Sequence, residues 1–107
     1  MFAVIFEVEL EEGGQEQYLA IAAKLKEILV TMPGFISIER FESLVNEGKL
    51  LSLSFWERKE DIDNWKKNLD HMNAQAAGRA KLFKDYRIRL AEVYKDYTIE
   101  TSEFKEN

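Results

Sequence analysis

The sequence contains no cysteine, a single histidine and a single proline among its 107 residues. Without cysteine there are no disulfides, thiolate nucleophiles, iron–sulfur clusters or cysteine-ligated zinc. One histidine cannot build the usual multi-histidine metal site, so no metal centre is expected. Apolar stretches such as Phe2–Phe6 are too short for a signal-peptide core or a membrane span. Basic residues are also in deficit, 15 against 20 acidic ones, with a net charge of −5. They are scattered, which disfavours partners attracted through phosphate, so neither nucleic acid nor an anionic membrane is expected to bind. The GxSxG elbow, the P-loop and the GxGxxG fingerprint are missing, and with them the common hydrolase, NTP and dinucleotide signatures. A cytoplasmic protein of a reducing compartment is the expectation.

The remainder is an ordinary globular composition, 46% apolar and 33% charged, enough for one domain around one core. Phe2–Leu10 (FAVIFEVEL) is rich in β-branched and aromatic residues and runs into Glu11-Glu12-Gly13-Gly14, a strand followed by a turn. From Gln15 to Met32 the apolar residues Tyr18, Ile21, Ala22, Leu25, Ile28, Leu29 and Met32 recur three and four apart, the stripe of an amphipathic helix. Pro33-Gly34 ends it. Phe35–Phe41 and Leu50–Trp56 read as two strands joined through Asn46-Glu47-Gly48-Lys49. Lys59–Phe83 repeats the helical spacing through Ile62, Trp65, Leu69, Met72, Ala76, Ala80 and Phe83, with Glu60, Asp61 and Asp63 at the dipole's positive end. Tyr86–Tyr94 is a fourth strand, and the chain ends in a short acidic tail.

The order β-α-β-β-α-β predicts an α+β, ferredoxin-like fold with a four-stranded antiparallel sheet. Strands one and three belong in its centre, and strands two and four, which carry Glu39-Arg40 and Arg87/Arg89, at its edges. Leu25, Leu53 and Trp65 are expected to be mostly buried. Two helices cover only one face of such a sheet, yet the alternation places apolar residues on both. The face left open is therefore expected to pair with a second copy in a two-fold homodimer, with Tyr94, Tyr97 and Ile99 reaching the partner.

The stretch from Leu51 to Tyr97, with FWERKEDIDNW followed by LDHMNAQAAGRAKLFKDYRIRLAEVYKDY, resembles the antibiotic biosynthesis monooxygenase family of small dimeric α/β-barrel proteins. The residues that carry the likeness are Trp56, Trp65, His71, Gln75, Gly78, Arg79 and the Tyr86-Arg87-Ile88 run. The resemblance implies a domain over residues 1–97, a tail over 98–107, and a dimeric α/β barrel. It further implies oxygenation of a small aromatic or polyketide-like compound with no metal or flavin. A non-catalytic dimer that binds a small apolar ligand on the same scaffold is the alternative. Haem is disfavoured as a cofactor: the haem-degrading pattern places a histidine about ten residues beyond the helix tryptophan, where this chain has Gln75, and His71 follows Trp65 by only six.

His71 is the one side chain whose ordinary pKa lies near neutrality, which makes it the candidate catalytic base. In one continuous helix it would face solvent, opposite the apolar stripe. It reaches a pocket only if the helix breaks near Asn68-Leu69-Asp70, with Asn68 or Asp70 capping a second piece. Trp56, Trp65, Phe83 and Tyr86 are the candidate substrate-binding aromatics, or else simply core. Asn68, Asn73 and Gln75 offer amides to a carbonyl or oxyanion, or else a polar helix surface. Arg87 and Arg89 can hold an anion or pair with nearby carboxylates.

Overall fold

A computed structural model describes residues 1–75, 78 and 81–102. Ala76, Arg79 and Ala80, which figured in the sequence pattern, lie outside the described residues, as does the end of the tail. The elements are β1 (Phe2–Leu10), α1 (Gln15–Leu29), β2 (Phe35–Glu42), β3 (Lys49–Trp56), α2 (Lys59–Ala74) and β4 (Phe83–Glu92). They form one antiparallel sheet in the order β2-β3-β1-β4, so β1 and β3 are central as expected. Each βαβ crossover skips one strand, and both helices lie against the same face.

That face holds the core. β1 contributes Val4, Phe6, Val8 and Leu10, which meet Tyr18 and Leu29 from α1 and Ile62, Trp65, Leu69 and Met72 from α2. Burying a side chain of this size stabilises by roughly 1.5–3 kcal/mol each before the entropy of ordering is subtracted. Trp56 and Trp65 stack with centroids 6.3 Å apart, and the indole N–H of Trp56 donates to Ser54 Oγ at 3.0 Å. That bond explains how Trp56 can be fully buried.

Gly34 fixes how α1 passes into the sheet. Its φ is +79°, and a Cβ there would overlap the buried Asp61 carboxylate. Asp61 accepts from Arg58 at both carboxylate oxygens, at 3.0 and 3.3 Å, a bidentate pair at the start of α2.

Several boundaries differ from the sequence pattern. α1 ends at Leu29, because Thr31 and Met32 donate their N–H groups three residues back, to Ile28 and Leu29, and tighten the last turn. α2 ends at Ala74 and Phe83 is the first residue of β4, so the apolar spacing that extended the helix to Phe83 crosses into a strand. Strand four accordingly starts and stops earlier than Tyr86–Tyr94. Its buried Phe83 pairs with Leu10 beyond a bulge at Glu9/Leu10, and Leu82 accepts the Glu11 N–H at 2.8 Å.

One core expectation, Leu53, is also corrected, while Leu25 packs at the edge of the core. Trp65 is buried, but Leu25 and Leu53 are only half-buried. Leu53 pairs with Ile5 and Glu39 on the face that no helix covers. Leu25 stands at the mouth of the cavity described next.

Candidate functional site

Between the sheet and the two helices lies a cavity of about 40 Å³, space for a few water molecules. Its walls are apolar: Val4 and Phe6 on the sheet, Ala22, Leu25 and Leu29 on α1, Trp65, Leu69 and Met72 on α2. Four polar side chains converge there, Tyr18 from α1, Arg40 from β2, and Ser52 and Ser54 from β3. Lys26 stands at its edge, exposed. Met72 and Lys26 are unbranched and rotatable, so two of its wall side chains can move without the backbone.

Strand alternation places these groups. Arg40 pairs with Ser52, which pairs with Phe6, and Ser54 pairs with Val4, so all point toward the helices. Arg40 lies over the Tyr18 ring at 6.0 Å from the centroid, a cation–π geometry. Burial pushes the Tyr18 phenol up from its ordinary value, and the neighbouring Arg40 charge and hydrogen bonding pull only partly against it. Tyr18 is therefore a neutral hydrogen-bond donor at physiological pH. The Nε of Arg40 is buried and makes no hydrogen bond among the described residues. Leaving such a donor unmatched costs about 1–3 kcal/mol, and no carboxylate forms an ion pair with it there.

Of the catalytic and binding candidates read from the sequence, Trp65 alone lines this cavity. Trp56 is core, behind Ser54. Phe83 is also core, packed edge-on against Tyr18 at 5.5 Å. Tyr86 packs on Phe6 and Phe83 at about 6 Å but is 43% exposed. Asn68 is half-buried in the middle of α2 and away from the cavity walls.

The expected helix break is absent. α2 runs unbroken from Lys59 to Ala74, and Asp70 forms an i,i+4 ion pair with Lys66 at 2.8 Å instead of capping a second piece. His71 is consequently exposed in the last turn. Gln75 is exposed too, whereas Asn73 is 1% exposed with both amide atoms unpartnered among the described residues.

Tyr18, Arg40, Ser52 and Ser54 were missed as site residues. The available signal was polar residues in phase with Leu50 and Trp56 on a central strand, where a covered face should be apolar throughout.

The opposite sheet face carries Ala3, Ile5, Leu51, Leu53 and Phe55, half-buried apart from the buried Ala3, beside the 42% exposed Phe41. At one end Glu7 accepts from Arg89 at 2.8 Å and pairs with Lys49 at 3.1 Å. The paired reading of Arg89 therefore holds. The Lys49 hydrogen bond, with the charges of Lys49, Arg89 and Arg87, holds the Glu7 carboxyl below its ordinary value against a smaller desolvation effect. Beyond β4, Tyr94, Tyr97 and Ile99 are 95%, 59% and 82% exposed.

Residues 1–77 match the family model described as antibiotic biosynthesis monooxygenase. The chain belongs to this family. Among its relatives is "Jasmonate monooxygenase ABM" of Pyricularia oryzae, 39% identical over 93 residues, or 87% of this chain and 43% of that protein. The chain thus spans less than half the length of that relative. The uncharacterized protein YqjZ of Bacillus subtilis is 25% identical over 92 residues, 86% of this chain and 78% of that one. Solved monooxygenase-family folds superpose closely. A putative antibiotic biosynthesis monooxygenase from Nitrosomonas europaea gives a TM-score of 0.72 at 11% identity, covering 87% of this chain and 89% of that one. SnoaB, a cofactor-independent oxygenase from Streptomyces nogalater, gives 0.71 at 12% identity, covering 89% and 94%. At such identities the likeness is one of fold. Among the described residues no three or more His, Asp or Glu side chains gather as a metal site, and no helix is long and apolar enough to cross a membrane.

Proposed function

We propose that this family member is a cofactor-independent monooxygenase for a small aromatic or polyketide-like compound, with the cavity under Trp65 as its substrate site. The observation that carries the reading is the convergence of the Tyr18 hydroxyl, Arg40 and two serines on an otherwise apolar cavity. In this chemistry the deprotonated substrate itself reduces dioxygen. An activated CH₂ becomes C=O, one oxygen atom enters the product and the other leaves as water. The protein excludes water, positions the ring against Trp65, and stabilises the enolate oxygen through the Tyr18 O–H and the Arg40 guanidinium. The names of the Pyricularia and Streptomyces relatives support the reaction type. The working unit is a homodimer joined through the open sheet face, whose apolar side chains would otherwise meet water.

One observation favours a second reading. Among the described residues the cavity is lined by no Asp, Glu or His, hence by no evident base. A dimer that binds a small apolar ligand without turning it over needs none. Oxygen uptake separates the two. With jasmonate and a panel of quinol-like aromatics, the monooxygenase reading predicts stoichiometric oxygen consumption with oxygenated product. Tyr18→Phe should slow it by about 10²-fold, the scale of losing one oxyanion donor, while exposed His71→Ala leaves it unchanged. Tight binding of these compounds with no oxygen consumed would establish the binding protein instead.

A further inference from the structure

The cavity's charge is at odds with the rest of the molecule. The protein carries a net −5, yet the titratable groups that face the cavity are Tyr18 and Lys26 from α1 and Arg40 from β2. β1 and α2 contribute only apolar residues to the wall, and β3 contributes two serines. Glu42, two residues beyond Arg40 on the same face of β2, is exposed and makes no ion pair with it among the described residues. A guanidinium with a buried, unmatched Nε, backed by an aromatic face and surrounded by apolar walls, is built to receive a planar oxyanion.

We propose that the cavity selects organic anions: an apolar ring system bearing a carboxylate or an acidic enol, with the anionic oxygens on the Arg40 guanidinium and Lys26 adding long-range attraction at the mouth. This rests on the cavity being the substrate site and deepens that reading by naming the charge class. It also accounts for the lack of a base in the cavity, since a ligand that arrives ionised needs none to bind. Low dielectric in the cavity strengthens the pairing, and the local positive field steers anions past the acidic exterior.

Calorimetric titration at neutral pH with three probes of one ring size tests it. 2-Naphthoate carries a carboxylate, 2-hydroxy-1,4-naphthoquinone an ionised enol, and 2-naphthamide is neutral with the shape of the naphthoate. At least one anion should bind the wild-type protein about tenfold or more tighter than the amide, the scale of one charge-assisted hydrogen bond. Which anion prevails identifies the oxyanion. Arg40→Met, which keeps length and apolar bulk, should erase the preference, and Arg40→Lys should retain part of it. Equal binding of amide and anions would overturn the inference while leaving the cavity as the ligand site. A preference untouched by Arg40→Met, in a variant with wild-type circular dichroism, would overturn it as well. If none of the three probes binds, the substrate-site reading falls together with it. The wild-type comparison stands even if a variant fails to fold.

Discussion

On its helix-covered face β1 presents Val4, Phe6, Val8 and Leu10, all buried. One residue out of phase, the same strand presents Ala3, Ile5, Glu7 and Glu9 to the open face. β3 repeats the contrast, with Leu50, Ser52, Ser54 and Trp56 on one side and Lys49, Leu51, Leu53 and Phe55 on the other. The covered face is apolar with a few polar groups focused on one cavity. The open face is apolar at one end and a charge network at the other, around Glu7, Lys49 and Arg89. Polar groups within a core suggest a ligand; an apolar patch bordered at one end by ion pairs suggests a partner. On the proposed reading the two faces therefore divide between ligand binding and assembly.

The sharpest way to break this division is to substitute one apolar residue on either side. Phe6→Ala, in the core, should cost about 3–5 kcal/mol of unfolding free energy, with little dependence on protein concentration. Leu53→Asp on the open face should act differently. It should convert a sedimenting dimer into a monomer, and its stability loss should grow with protein concentration as the wild type gains from assembly. A wild-type protein that sediments as a 12.5 kDa species at micromolar concentration would remove the assembly role.

A smaller effect sharpens the charged end. The Glu7 carboxyl is held low by Lys49, Arg89 and Arg87, so the unfolded chain binds its proton more readily than the folded one. Glu7 thus adds stability at neutral pH. That stability starts to fade as pH approaches the ordinary value of 4.5 and is gone once the lower folded-state value is passed. Urea midpoints followed down in pH should show wild type losing more than Glu7→Gln. Parallel curves for the two would mean the network is ornamental to stability.

How much of this was readable in the sequence follows from what periodicity encodes. Phe2–Leu10 appears at its observed bounds and the sheet order follows from βαββαβ, because alternation and turn residues are local signals. Periodicity does not say which face a helix will cover, so Leu53 was expected in the core when its partner Ile5 faces away from the helices. The spacing of Phe83 from Leu69 and Met72 fits both a helix and the first residue of a strand, and the structure takes the second. His71 illustrates a different gap. Asn68 and Asp70 have capping chemistry, but Lys66 satisfies Asp70 along the helix surface and the helix continues. The cavity's polar groups were obscured for a tertiary reason. Tyr18, Arg40 and Ser52 lie on three separate elements, and only the fold brings them together.

The covered-face cavity as the ligand site is the central claim, and residue-resolved NMR with 2-naphthoate tests it most directly. The account predicts the largest shifts at the Trp65 indole N–H and at the amides of Ala22, Ser52 and Leu69, with Ile5, Leu53 and Ala91 on the open face unmoved. Shifts concentrated on Ile5, Leu53 and Ala91, with Trp65 and Ser52 unchanged, would contradict it.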